Sequence, residues 1–273
     1  MNASQIYQLG FVGAGKLAGS VIRGLMRAKF CAPNEIIASE PNEQTRTALQ
    51  KETGIKTTAE NAEVAEKADV IFVGVKPGMV ASVLRELAQK LENKLVISLA
   101  GGVRISSMEK TANARFMRAL TNTPSAICRA ATGITRGSRS NNEDVEMAKS
   151  IFSAIGVVVE VDESQIDIIT ALSGSGPAFV YTIIDAFAKS GVNLGLSEKI
   201  SHELAIQTVL GAAELMRESK MSAEDLVRMV VTPGGTTAAG LAVMEKMKTN
   251  KSLIAAVEAA TKRGQEMADE TKS

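Results

Sequence analysis

Over residues 1–160 the chain alternates short, β-branched apolar runs with amphipathic stretches, and that alternation leaves few folds open. It is the pattern of parallel strands joined by crossover helices, in which each strand is covered on both faces. Strands are read at Ile6–Val12, Glu35–Ser39, Val70–Val75, Leu95–Ser98, Arg115–Leu120 and Val157–Val161. Thr132–Arg136 reads as a further short strand and Asp144–Ala154 as the helix before the last one. After Asp162 the strand signal stops. Helical periods then run to the C-terminus, broken at Gly174–Pro177, Gly191–Gly195 and Pro233–Gly235. The expectation is an α/β domain with a parallel sheet over 1–162, followed by an all-α domain over 163–273.

Composition narrows the function. With 45% hydrophobic and 22% charged residues, the 273-residue chain has the balance of a globular protein and length enough for two domains. Its 31 basic and 30 acidic side chains leave a formal charge of +1, which argues against nucleic acid or an anionic membrane as partner. Cys31 and Cys128 are far apart, match no metal spacing and are too few for a disulfide framework. The N-terminus shows no signal-peptide pattern, and no apolar run nears the ~20 residues of a membrane span. A soluble cytoplasmic protein without metal is expected. The helical segments Ala178–Ala188 and much of Leu204–Met216 are apolar almost all round, more than a small helical domain can bury alone. A second subunit is expected to cover them; the alternative is a tightly packed monomeric core.

His202 is the only histidine, and there is no tryptophan. Histidine is the commonest general acid or base, so a site here must use backbone groups, hydroxyls or a cofactor with its own chemistry. Directly after the first strand, Val12 is followed by Gly13-Ala14-Gly15-Lys16-Leu17-Ala18, a G-x-G-x-x-A run opening an amphipathic helix. Gly13 permits the turn, Gly15 lets the backbone approach a pyrophosphate, and Ala18 allows close helix–strand packing. The helix start then offers free N–H groups to the phosphates. The domain is therefore read as Rossmann-like, with NADPH or NADH as cofactor. The second strand ends at Ser39-Glu40-Pro41-Asn42, where such a site meets a ribose hydroxyl or a 2′-phosphate. Glu40 can accept from the hydroxyl or point to solvent, Ser39 and Asn42 can donate to a phosphate, and no arginine follows the strand. Val75-Lys76-Pro77 and Ser98-Leu99-Ala100-Gly101-Gly102 follow later strands, at the sheet edge where open α/β folds bind ligands. Small residues such as Ala100 admit a flat ring, and Lys76 is placed on the cofactor side of the cleft.

Two further motifs open helices in the second half. Gly174-Ser175-Gly176-Pro177-Ala178 puts glycines and a hydroxyl before an apolar helix, with proline where its missing N–H is harmless. Thr232-Pro233-Gly234-Gly235-Thr236-Thr237 precedes the helix 238–247 and offers consecutive N–H groups as a carboxylate nest. Together they point to a small anionic substrate at a helix start, facing a nicotinamide.

With these motifs in order along nearly its whole length, the chain resembles the pyrroline-5-carboxylate reductases. The resemblance is carried by FVGAGKLA (11–18), VKP (75–77), SLAGGV (98–103), TNTP (121–124), ALSGSGPA (171–178) and DLVRMVVTPGGTTAAGL (225–241). It implies a helical dimerisation domain, homodimers and often pentamers of dimers, and reduction of 1-pyrroline-5-carboxylate to L-proline by hydride from NAD(P)H. It also implies that Asn61, Val75–Pro77 and Asn122 belong to the cofactor side. Ser175, Gly234, Gly235, Thr236 and Thr237 would surround the substrate, with Thr237 nearest the chemistry. The chain departs from the family at Arg129, where a glutamate is usual, and in lacking an arginine within Ser39–Asn42. Two other readings stay open: a β-hydroxyacid dehydrogenase-like oxidoreductase, which would need a lysine just past Gly176, and a non-catalytic dinucleotide-sensing protein.

Overall fold

The computed structural model describes residues 7–270; Ile6, read as the first strand residue, lies outside them. The strands are β1 Tyr7–Val12, β2 Ile36–Ser39, β3 Lys56–Thr58, β4 Ala68–Val73, β5 Leu95–Ser98, β6 Arg115–Leu120, β7 Ala130–Arg136 and β8 Gly156–Glu160. They form one eight-stranded sheet in the order β3-β2-β1-β4-β5-β6-β7-β8. The helices between them are α1 Lys16–Arg27, α2 Glu43–Thr53, α3 Asn61–Lys67, α4 Pro77–Leu87, α5 Ile105–Glu109 and α6 Asn142–Ser153. Apolar clusters on the two faces of the sheet form the core, one under α1 and α6 and one under α3, α4 and α5. At the centre Phe11 of β1 stands in register with Phe72 of β4, and their rings stack 4.6 Å apart.

Two departures from the sequence reading have simple causes. Lys56-Thr57-Thr58 carries no strand signal in the sequence, being three residues long and polar, yet it pairs parallel with β2 at the sheet edge. Pairing is parallel throughout except between β6 and β7, which are antiparallel. Only the short 3₁₀ turn Thr123–Ile127 joins those two strands, and a parallel return needs a crossover of a dozen residues or more. The strand expected over Val70–Val75 stops at Val73, because Gly74 turns the chain away.

By compactness the chain forms two units: one runs through Ser175 and resumes at Ala259, and the other is Gly176–Glu258. Strand content ends at Glu160, but residues 163–175 pack back on the sheet, where a Cβ at Gly133 would meet the Ile169 side chain at 2.7 Å. The compact units are thus not the segments divided at 162/163. In the first unit, α7 Ile166–Ile169 passes into a π-helical turn, Thr170–Gly174. The second unit holds α8 Gly176–Asn193, α9 Glu198–Ser219, α10 Ala223–Val230, α11 Thr236–Lys246 and the start of α12 Thr249–Glu270. Along α8 only Ala188 is buried, while Tyr181 and Phe187 are 59% and 48% exposed. One chain does not bury this helix.

Helix α1 is held against the 3₁₀ turn at Gly24, where a Cβ would run into the carbonyl oxygen of Ser125. Alanine is the better helix former by about 1 kcal/mol, but overpacking of a tight contact costs about 1–3 kcal/mol, and backbone cannot yield as a side-chain end can. Gly24→Ala is therefore expected to lower the urea midpoint of unfolding; an unchanged or raised midpoint would show that the turn gives way.

Candidate cofactor and substrate site

Because β1 is flanked by β2 on one side and β4 on the other, the chain reverses direction of travel across the sheet there, opening a crevice beyond the strand ends. Gly13 sits at its base with φ +87°, a left-handed backbone that favours glycine. A Cβ on Gly13 would meet Val75 Cγ1 at 2.9 Å, and one on Gly74 would meet Gly13 O at 2.7 Å and Ala18 Cβ at 2.8 Å. Gly74, which sequence reasoning missed, is thus needed as much as Gly13. Gly15 differs: a Cβ there would meet nothing within 4 Å, so protein packing does not ask for glycine. Gly15 is also the N-cap of α1, has no side-chain cap, and is followed by a first turn without acidic residues. The free N–H groups and positive dipole end at this open spot fit a dinucleotide pyrophosphate. Val12 and Ala14 are buried supports of the turn, Leu17 is half-buried and Lys16 exposed.

The end of β2 is wired differently from the expectation. Ser39 is fully buried; its hydroxyl accepts from Gly13 N (3.3 Å) and donates to Asn61 Oδ1 (2.7 Å). Fully buried and engaged on both sides, the Ser39 hydroxyl is not free to donate to a 2′-phosphate as expected; it holds Asn61 at the start of α3. Asn42 Oδ1 accepts from Thr45 N and so caps α2. Glu40, half-buried, accepts from Asn42 N through its carboxylate (3.1 Å). No arginine lies within Ser39–Asn42, but one reaches this corner from further along the chain. Arg46, on the first turns of α2, reaches back and donates from Nη1 to the carbonyls of Glu40 (2.8 Å) and Pro41 (3.3 Å). It escaped notice because the helix brings it back over six residues of sequence.

On the other half of the sheet Lys76 is the exposed N-cap of α4, with Pro77 at the first helical position and Val75 half-buried against Gly13. Ala100 is buried, its N–H donated to Ser98 Oγ (3.3 Å), and Gly102 takes φ +67°. Asn122 is 7% exposed and engaged at both ends of its amide: Nδ2 donates to Ser173 O (3.0 Å) and Oδ1 accepts from Ala131 N (3.2 Å). These two bonds tie β7 to the π turn that leads to Ser175, whose own N–H donates to Thr170 O (2.9 Å).

In the second unit the start of α11 is built from two glycines. Gly234 has φ +71° with open space where a Cβ would stand, and Gly235, the N-cap, brings no side chain to the first-turn N–H groups. Gly235 N donates to Thr232 O at 2.9 Å, which closes the turn. Thr236 is exposed and Thr237 half-buried beside it. His202 is exposed on α9, away from this turn along the chain. Arg129 is also exposed, Nη1 donating to Cys128 O (3.3 Å).

A Rossmann-type sheet with an uncapped, glycine-built helix start at α1, and a helical unit with another at α11, are features of a nicotinamide-dependent oxidoreductase. Comparison with known proteins narrows this. Residues 163–267 match the family described as pyrroline-5-carboxylate reductase dimerisation, and residues 8–102 match the family described as NADP oxidoreductase coenzyme F420-dependent. The chain is 40% identical to a pyrroline-5-carboxylate reductase of Synechocystis sp., over 95% of this chain and 98% of the relative. Among solved structures, it is similar to the Plasmodium falciparum pyrroline carboxylate reductase with NADP bound, at a TM-score of 0.89 and 31% identity, covering 96% and 98% of the two chains. A reductase from Coxiella burnetii gives a TM-score of 0.87 at 34% identity over 97% and 99%. The chain belongs to the pyrroline-5-carboxylate reductase family.

One expectation about membranes changes. By length and composition, the helical run Glu163–Asn193 is long and apolar enough to cross a membrane, with a mean hydropathy of 1.2. The π turn ends at Gly174, Ser175 is a bend and α8 starts at Gly176, so the interruption expected at Gly174–Pro177 falls at Ser175. This run lies inside the dimerisation match, which gives its apolar surface a protein partner.

The β2 end yields a prediction about cofactor choice. With a dinucleotide ribose at this corner, Glu40 would repel a 2′-phosphate and Arg46 would attract one, and a screened contact between charges is worth about 1 kcal/mol, or several-fold in affinity. Glu40→Ser is expected to shift the NADH/NADPH ratio of dissociation constants roughly five- to tenfold toward NADPH, and Arg46→Ala to shift it back. Titration of nicotinamide fluorescence measures both; an unmoved ratio in each variant would place the two side chains outside the ribose site.

Proposed function

We infer that the protein reduces 1-pyrroline-5-carboxylate to L-proline by hydride transfer from NAD(P)H, the last step of proline synthesis, as a soluble enzyme of the cytoplasm. The observation that carries this reading is the uncapped, glycine-built start of α11 in a chain whose sheet holds an equally uncapped cradle at Gly15. Each is an anion site made of backbone, and the two suit a pyrophosphate and a substrate carboxylate.

The cradle of Val12–Leu17, the Asn61 amide and the Glu40–Arg46 corner hold the dinucleotide's adenosine and pyrophosphate. Val75–Pro77 and Ala100 support its nicotinamide half, which supplies the hydride. The Gly234, Gly235 and Thr236 N–H groups bind the substrate carboxylate, Ser175 adds a hydroxyl, and the Thr237 hydroxyl hydrogen-bonds the ring nitrogen. Reduction of C=N takes a hydride at carbon and a proton at nitrogen; an imine that arrives protonated needs no general acid. What remains for the protein is to bring the reacting atoms to about 3–3.5 Å. That explains a site without histidine. An alcohol dehydrogenation has no base here, since Pro177, Ala178, Phe179 and Val180 follow Gly176 where a lysine would be required.

The half-exposed apolar α8 and α9 are covered in a homodimer, and pentamers of dimers are the larger assembly in keeping with the family. Ile183→Asp would bury an uncompensated charge there, so sedimentation should show loss of the dimer; a mutant that remains dimeric places Ile183 outside the interface.

Oxidation of NADPH and NADH with 1-pyrroline-5-carboxylate tests the activity directly, and no turnover with either would overturn it. Thr237→Val removes one hydrogen bond to a charged group, worth about 1.5–3 kcal/mol, so kcat/KM should fall roughly 10- to 100-fold with turnover retained. His202→Gln should leave kcat/KM unchanged. The opposite pair of results, in folded dimers, would move the chemistry away from Thr237.

A further inference from the structure

The first unit holds a buried charge cluster that the proposed reaction does not itself use. Arg118, in the middle of β6, is 0% exposed, and Asp167 on α7 is 1% exposed. Arg118 Nη1 lies 3.2 Å from Glu163 Oε1, and its Nη2 lies 3.8 Å from Asp167 Oδ1. Asp167 Oδ2 lies 3.1 Å from Arg104 Nη2. Glu163 Oε1 also accepts from Ile105 N at 2.7 Å, which caps the start of α5. Burial pulls the Arg118 guanidinium below its ordinary pKa, while the two carboxylates oppose the shift. A cluster with two positive and two negative groups, whose Arg118–Asp167 centre is buried and where a Cβ on Gly264 of α12 would stand 3.6 Å from Asp167 Cβ, is costly to desolvate and asks for a reason.

The reason lies in what the four residues join. Arg104 and Ile105 end the loop that begins at Ala100, where the nicotinamide half of a dinucleotide falls in a sheet whose other half takes the adenosine. Arg118 belongs to the strand that leads to Asn122. Glu163 and Asp167 begin the segment that ends in the π turn and Ser175. The two carboxylates stand four residues apart, one helical turn, and grip the loop twice, Glu163 through a backbone N–H and Asp167 through a side chain. Thr170, three residues beyond Asp167, completes the contact: a Cβ on Gly101 would lie 3.7 Å from its methyl group.

We propose that Asp167 is a positioning residue for the nicotinamide: with Glu163 and the two arginines it fixes the 100–104 loop against the segment that bears Ser175. The proposal rests on the cofactor assignment above and names the residues that set the geometry of its reactive end. It predicts a split between the two halves of the cofactor, because the cradle at Gly13–Ala18 shares no residue with the cluster.

The test compares binding of NADH and of ADP-ribose, which lacks the nicotinamide ring, to wild type and Asp167→Asn by calorimetry, beside thermal unfolding. The expected result is an ADP-ribose affinity within about twofold of wild type, an NADH advantage reduced at least about threefold, and a kcat with 1-pyrroline-5-carboxylate lowered about tenfold or more. A residue that only stabilises would lower the melting temperature and leave the NADH to ADP-ribose ratio as it was, which would overturn the proposal. Equal binding of the two ligands by wild type would overturn it too. If Asp167→Asn does not fold, Arg104→Gln removes the same ion pair from a side chain that is partly exposed, and the same ratio decides. Wild type that binds both ligands as expected but turns over no pyrroline-5-carboxylate would sink the proposed reaction and leave the positioning role standing.

Discussion

The cofactor end of this protein depends on one close approach of backbone to backbone. The turns after β1 and β4 meet at Gly13 and Gly74, so near that neither can carry a side chain, and Ala18 of α1 closes over both. Because the turns touch, α1 starts low against the strand ends, and its unpaired N–H groups open into the crevice rather than into a loop. The stacked Phe11 and Phe72 beneath them set the register in which the two turns can meet. A methyl group at Gly74 would push the strands or the helix apart and displace the cradle without touching a ligand.

What was legible in the sequence follows from how local each requirement is. Gly13, Gly15 and Ala18 could be read because strand, turn and helix succeed one another within a dozen residues, and each small residue has a local reason. Gly74 could not, since its reason is Gly13, sixty residues away. The glycine turn at Gly234–Gly235 before α11 is legible for the same local cause as the first. Ser39 and Asn42 were assigned outward roles by position at a strand end, yet one is turned inward on Asn61 and the other is taken by α2 as its cap. Arg46 was invisible because it acts backwards along a helix. The β7 reversal was hidden by the shortness of its connection, and Lys56–Thr58 by its polarity.

The electrostatics divide along the same lines. Exposed pairs such as Arg23–Glu52 and Lys90–Glu66 decorate the sheet layer and contribute little. The buried set around Arg118 is another matter, since removal of one member leaves a charge without compensation, at a cost of about 3–5 kcal/mol. Ser39, Asn122 and the Arg118–Asp167 centre of this cluster are buried and act through their neighbours.

The exposed apolar side of α8 has a consequence for how the protein behaves at different abundances. A dimerisation unit whose long helices find their cover on a second chain draws part of its folding free energy from association, and that part varies with the logarithm of protein concentration. Sequence changes in Gly176–Glu258 are then buffered when the protein is plentiful and unmasked when it is scarce. The same substitution can be silent in one cell and destabilising in another, with nothing altered in the fold of a single chain.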